Sequence, residues 1–199
     1  GRGCRLPEIR VSAGSRDVLI RGKIDRMDLM GGQEESVRII DYKTGSDTID
    51  TEYFRKGYKL QLMIYLKAGM QGNQSLKPAG VFYFRIHDVD VNADTRKVEH
   101  GQEALEARVS ESYKLQGIML DDQELLSSMD TELEGSSSVV PVKFSKKTGT
   151  FVPSAGGMLL SEDEFRELTE AVDEQVERIC GEICSGNISV SPKREKDRD

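Results

Sequence analysis

The chain of 199 residues contains no run of about 18 apolar residues, so no helical membrane span is expected. Its first residues, Gly1-Arg2-Gly3-Cys4-Arg5, lack the apolar stretch of a secretory signal, and no initiator Met precedes them. The chain is therefore expected to be a piece of a longer protein. Cysteine is scarce. Cys4, Cys180 and Cys184 cannot all pair, which excludes a disulfide framework and fits a reducing, cytoplasmic setting. Histidine is scarcer still: His87, beside Asp88, reads as a loop hydrogen-bond partner, and His100 as solvated. No Gly-x-x-x-x-Gly-Lys-[Ser/Thr] occurs, so no ATP site can be placed on this chain, and no internal repeat is visible.

What is present suits one core. Hydrophobic residues make up 37% and charged residues 32%, with the signs interspersed, which argues against wholesale disorder. The formal net charge of −7 speaks against simple nucleic-acid binding, but its distribution matters more than its sum. Residues 2–26 are rich in Lys and Arg, and the acidic excess lies in 121–134 and 162–182. An enzyme that cuts DNA also needs carboxylates to hold metal, so acidity does not exclude a DNA substrate.

Period-two patterning predicts strands over 8–13 and 17–25, joined by a turn at Gly14-Ser15, with Val18, Ile20 and Ile24 on one face and Arg21, Lys23 and Asp25 on the other. A turn at Gly31-Gly32-Gln33 leads to a strand over 37–43. Residues 52–70 read as one helix closed by Gly69 and Gly72. The run Val81–Ile86 is apolar on both faces, like a central buried strand. Helices are expected over 102–116 and 121–130, the latter capped by Asp121 or Asp122. A hairpin is expected between 139–144 and 150–152. A long helix should start after Ser161, with Glu164 completing a capping box, and run to about Ser185. The expected organisation is one domain over 1–192 with a charged tail, 193–199.

The chemistry concentrates in Gly22-Lys23-Ile24-Asp25-Arg26 and Asp41-Tyr42-Lys43-Thr44-Gly45. Alternation puts Asp41 and Lys43 on one face of a strand. With the hairpin turn centred near Gln33, Asp25 lies across from Asp41, at the roughly 4.5–5.5 Å Cβ separation of opposed residues. Two carboxylates there repel, and a divalent cation between them removes that cost. The carbonyl of Tyr42 is a further candidate ligand. Lys43, one pleat on, would face a metal-activated water and a phosphate, an arrangement suited to phosphodiester hydrolysis. The alternative is a solvated sheet face on which Asp41 merely pairs with Lys43. Gln61 and Tyr65, at i and i+4, share a helix face and can donate to phosphate or base edges. Their alternative is a core Tyr65 beside a solvent-facing Gln61.

Taken together, Gly22-x-Ile24-Asp25-Arg26, Asp41-Tyr42-Lys43-Thr44-Gly45 and Gln61-x-x-x-Tyr65 resemble the RecB-like branch of the PD-(D/E)XK nucleases. Within it, the chain is most similar to the C-terminal nuclease domain of the AddB (RexB) type of subunit in bacterial ATP-dependent helicase–nucleases. Val81–Phe84, Gly117–Leu120, Met129-Asp130 and Gly186–Pro192 look like that type too, so the resemblance covers nearly the whole chain.

The resemblance implies an α/β fold, a mixed central sheet flanked by helices with the carboxylates on a bent hairpin. It implies Mg²⁺- or Mn²⁺-dependent cleavage of DNA, as an exonuclease serving double-strand-break repair by recombination in the bacterial cytoplasm. The motor would lie outside this chain, and the partner would be a helicase–nuclease subunit of the AddA type. Asp25 and Asp41 would be metal ligands and Lys43 the catalytic lysine, with Gln61, Tyr65 and Arg26 supporting them or contacting DNA. The family often adds an upstream Glu or His ligand, for which Glu8 is the only nearby candidate. Such subunits also resemble proteins with an iron–sulfur cluster, held by one distant upstream Cys and three downstream. The spacing of Cys180 and Cys184 does not match, so a cluster is expected in the full-length parent but not on these residues. The rival readings are a non-catalytic module of the same fold that docks DNA or a partner, and a self-standing nuclease.

Overall fold

A computed structural model describes residues 8–31, 35–45, 48–71, 73, 75–86, 113–131, 135–187 and 189. The expectations for Cys4, His87-Asp88, His100, the polar stretch 88–101, most of the helix over 102–116 and the tail 193–199 lie outside the described residues.

The chain opens with a hairpin of β1 (Ile9–Ala13) and β2 (Arg16–Ile20), antiparallel from Ile9↔Ile20 to Ala13↔Arg16. Gly14, at φ +65°, makes its turn. Alternation buries Ile9, Val11 and Ala13 and leaves Arg10 and Ser12 outside. The expected long second strand ends at Ile20. Residues 21–25 are not strand; they carry the chain from this small hairpin to the main sheet, where a separate strand, β3 (Arg26–Met30), begins.

Among the described residues, the main sheet has five strands. β3 pairs antiparallel with β4 (Ser36–Lys43), which runs parallel to β5 (Lys77–Arg85). β5 pairs antiparallel with β6 (Gln116–Leu120), and β6 runs parallel to β9 (Gly157–Leu160) at the far edge. The sheet is thus mixed and flanked by helices, as expected. β5 lies at its centre, which is why both of its faces are apolar. β6 begins at Gln116, where the sequence suggested the end of a helix.

The parallel step from β4 to β5 needs a crossover, which the helices α1 (Thr51–Arg55) and α2 (Gln61–Met70) provide. The expected single helix is broken because Gly57 and Lys59 sit at φ +81° and +53°, a conformation no α-helix contains. α3 (Gln123–Met129) is capped by Asp122, whose side chain accepts from the backbone amides of Glu124 and Leu125. β7 (Val142–Ser145) and β8 (Thr150–Pro153) form the expected second hairpin. α4 (Glu162–Cys184) starts with a full capping box: Glu164 N–H donates to Ser161 Oγ, and Ser161 N–H donates to the Glu164 carboxylate at 2.8 Å. That backbone donation holds the Glu164 carboxyl below its usual range. Among the described residues, no helix is long and apolar enough to cross a membrane.

Two cores sandwich the sheet. Val37, Ile39 and Tyr83 face Leu62 and Leu66 of α2, Phe165 and Leu168 of α4, and the apolar side of β1. Ile40, Phe82 and Met119 face Leu126 and Met129 of α3 and Val142 of β7. Cys180 and Cys184 are free thiols on α4. Cys180 is buried in the first core, and loss of hydration, aided by the neighbouring Cys184, pushes its thiol up.

Candidate active site

Strand alternation puts Ile39, Asp41 and Lys43 on the α2 side of the sheet. Asp41 is only 2% exposed, an expensive position for a carboxylate. Its Oδ2 lies 2.7 Å from Lys43 Nζ, yet the angles are not those of a hydrogen bond, so this buried oxygen has charge compensation without a directed donor. The expected alternative is therefore half right: Asp41 does pair with Lys43, but not on a solvated face.

The β3–β4 ladder ends at Arg26↔Ile40, so Asp25 and Asp41 lie one residue beyond it, and the expected turn at Gly31-Gly32-Gln33 falls largely outside the described residues. Asp25 is exposed, and its Oδ2 accepts a hydrogen bond from the Tyr42 backbone N–H at 3.2 Å. This contact fastens residue 25 to β4 beyond the last ladder pair. One carboxylate is thus buried and the other open to solvent, at the same strand end. Hard oxygen donors in this setting suit a divalent cation: the Asp41 and Asp25 carboxylates, with the Tyr42 carbonyl as candidate third. No group of three or more His, Cys, Asp or Glu that could hold a metal occurs among the described residues. Glu8 is paired instead with Arg21 at 2.7 Å and would have to release it to become a ligand.

Lys43 is held from several sides. Its Nζ donates to Gln61 Oε1 at 3.2 Å and lies 5.5 Å from the centroid of the Tyr83 ring. Gln61 Nε2 in turn donates to Tyr65 Oη at 3.0 Å. An ammonium only donates, so it selects the carbonyl end of Gln61 and turns the amide NH₂ toward the phenol. Both readings of this pair meet here: Tyr65 packs its ring against the core and Gln61 is exposed, yet together they form a chain to Lys43. α2 begins at Gln61 without a side-chain cap, so the positive end of the helix sits beside the lysine.

Gly22 was not among the expected site residues. A Cβ there would stand 2.8 Å from Tyr65 Cε1, so its missing side chain is the space the ring occupies. The available signal was a glycine inside a strand-like run, which marks close approach. Tyr83 was also missed, because only sheet pairing brings it beside Lys43.

Arg26 points the other way. One residue after Asp25, it joins the opposite face of the hairpin, donating to Asp28 at 2.9 Å beside the Tyr42 hydroxyl. Those contacts, Asp28 first, raise its pKa above the ordinary arginine value. Arg38 also donates to Asp28, at 2.8 Å. Partial burial alone pushes the Asp28 carboxyl up, but the hydrogen bonds and charges of the two arginines outweigh it and hold the group below its usual range. A separate cavity of about 600 Å³ lies between β1, α2 and α4. Its walls are mainly apolar, and neither Asp25, Asp41 nor Lys43 lines it.

The chain is similar to known proteins along nearly its whole length. The relatives are B-type subunits of ATP-dependent helicase/deoxyribonucleases. The chain is 34% identical over 204 residues to the one from Caldanaerobacter subterraneus subsp. tengcongensis, a match covering 99% of this chain and 17% of that protein. It is 32% identical over 200 residues to the one from Thermoanaerobacter sp. (strain X514), covering 98% and 17%. It is 32% identical over 199 residues to that of Clostridium novyi (strain NT), covering 96% and 17%. The chain thus spans about a sixth of the length of these relatives. The sequence also matches the PD-(D/E)XK nuclease superfamily over residues 2–195, a span that takes in every strand of the sheet. The β3–β4 pair lies within that span, and the chain belongs to the PD-(D/E)XK nuclease superfamily.

Proposed function

We propose that this chain is a divalent-metal-dependent deoxyribonuclease domain, working in a helicase–nuclease that processes DNA double-strand breaks for recombination. The observation that carries the reading is the buried Asp41 carboxylate, compensated by Lys43, at a strand end where the Asp25 carboxylate also accepts from the Tyr42 N–H. A purely structural sheet end gains nothing from two opposed acids, which disfavours a non-catalytic docking module. In this reading Asp25, Asp41 and the Tyr42 carbonyl hold Mg²⁺ or Mn²⁺, with Glu8 as a further ligand once freed from Arg21. The bound ion supplies charge neutralisation at the phosphate and acidifies a water.

The side chains do the rest. Lys43 orients the attacking water and offsets charge gathering on the phosphate oxygens. Gln61 keeps the ammonium aimed, because its amide is fixed by Tyr65 on the far side. Tyr65 accepts from Gln61, which leaves its own O–H to donate to a phosphate oxygen. Arg26 supports the DNA from the opposite face of the hairpin. The similarity to subunits of ATP-dependent helicase/deoxyribonucleases supports a partner of the AddA type, exonucleolytic cutting of a strand delivered by a motor, and a bacterial cytoplasmic setting. The reading includes an iron–sulfur cluster in the full-length parent, on cysteines other than Cys180 and Cys184. The domain is taken as 1–192, followed by the charged tail.

The test is calorimetric titration with Mg²⁺ or Mn²⁺ beside a cleavage assay, on wild type, Asp41→Ala and Lys43→Ala. Metal binding lost in Asp41→Ala, with cleavage lost in both variants, is expected. Cleavage by Lys43→Ala at the wild-type rate would remove the role given to the lysine.

A further inference from the structure

On the sheet face opposite the carboxylates lies a row of rings. Tyr42, on β4, meets Phe84, on β5, edge-on with centroids 5.5 Å apart. Phe84 in turn stacks on Tyr113, with centroids 6.1 Å apart and planes 19° from parallel. The order follows from pairing. Tyr42 is the register partner of Phe84, and Tyr113 lies three residues before β6, the strand that pairs with β5 on its other side. Phe84 rests on the second core, so the row is anchored below, but Tyr42 and Tyr113 stay 40% and 45% exposed. Ile86, 50% exposed, continues the apolar strip.

We propose that Tyr42, Phe84 and Tyr113 form a shelf on which bases of a single DNA strand stack while its backbone passes the Asp41–Lys43 side of the same strand end. The proposal rests on the nuclease reading for the identity of the strand, and on the rings for how it is held. The occupant follows from continuity and charge. Tyr42 lies between Asp41 and Lys43 in the chain, so the shelf and the carboxylates are two faces of one β-strand end. Arg26, beside the Tyr42 hydroxyl and held by Asp28, sets a cation at the shelf's edge, where a phosphate passing from one face to the other would be met. A protein segment would find few donors or acceptors on these rings, whereas every base offers a π-face.

The spacing selects the mode. A base inserted between two rings needs about twice the roughly 3.4 Å rise of stacked bases. The Phe84 and Tyr113 centroids stand only 6.1 Å apart, so bases lie on the outer face of Tyr113 and against Tyr42 rather than between rings. A paired base hides both faces in its own stack, so the shelf favours unpaired strands over duplex.

The test measures binding of a labelled oligothymidylate of about 12 nucleotides to the intact protein in EDTA, by fluorescence anisotropy, beside an abasic strand of equal length. Variants are Tyr113→Ala, Tyr113→Trp and, for the other face, Asp41→Ala. Tyr113 is exposed, so its truncation leaves the fold in place. The expected result is a Kd raised about 5- to 100-fold in Tyr113→Ala, kept or improved in Tyr113→Trp, and unchanged by either substitution on the abasic strand. Equal Kd values for Tyr113→Ala and wild type, or for the abasic and base-bearing strands, would overturn the shelf even if wild type cleaves DNA normally. Tyr113-dependent binding by a wild type that fails to cleave with Mg²⁺ would keep the shelf and overturn the nuclease reading instead.

Discussion

Gln61 bridges Lys43 and Tyr65: its Oε1 lies 3.2 Å from Lys43 Nζ, and its Nε2 lies 3.0 Å from Tyr65 Oη. The lysine therefore depends for its aim on a residue that belongs to a different element, α2. Replacing Gln61 by Leu removes both bonds while keeping the approximate volume. The expected outcome is a kcat about tenfold lower with KM little changed, because a positioning contact of this size is worth about 1–1.5 kcal/mol. Steady-state cleavage of a single-stranded substrate checks it, and an unchanged kcat would show that Lys43 needs no second support.

Gly22 bears on the same chain through sterics. Gly22→Ala places a methyl 2.8 Å from Tyr65 Cε1, and the ring must move to admit it. The expected result is reduced cleavage that a Tyr65→Phe substitution does not worsen further, since both changes break the same link. The double-mutant cycle reads this directly: additive losses would mean that Gly22 acts elsewhere.

Metal binding should appear as stability. A cation that binds only the folded chain raises Tm, by an amount corresponding to roughly 2.7 kcal/mol at a hundred times its Kd. Wild type should show a Tm rise with Mg²⁺ or Mn²⁺ that EDTA reverses. Asp41→Asn, nearly isosteric, should show none. A metal-dependent rise retained in Asp41→Asn would move the cation away from β4.

Asp28 makes a pH prediction. Its carboxyl is held below the ordinary value by Arg26 and Arg38, so the folded state binds its proton less readily than the unfolded state. The stabilisation is fully present above the unfolded value of about 4 and is lost as pH falls through the folded value below it. Urea midpoints of wild type and Asp28→Asn should therefore differ at neutral pH and converge below about pH 4. A constant difference across that range would show that the arginine contacts are not coupled to the charge.

Much of this was legible in the residues. The capping box of Ser161 and Glu164, the Asp122 cap and the doubly apolar β5 are local or burial signals, and they appear as expected. β3 was not legible as a strand of its own, and its pairing with β4, from Arg26↔Ile40 to Met30↔Ser36, appears only in the fold. The broken crossover helix was not legible either, since Gly57 and Lys59 do not announce positive φ, and tertiary packing overrode a good helical period. β9 was missed because four half-buried residues at a sheet edge carry little period.

The sequence by itself determined the alternation that puts Asp41 and Lys43 on one strand face, the i, i+4 pairing of Gln61 with Tyr65, and the likeness to a nuclease family. Each is a matter of spacing along the chain, which strand and helix periods convert into direction. Only the tertiary structure decided that Asp41 is buried, that Gln61 reaches Lys43, that Gly22 seats Tyr65, and that Arg26 faces away from the carboxylates toward Tyr42. Those relations join residues from different elements. They depend on how α2 crosses the sheet and where β2 gives way to β3, and no local period encodes either.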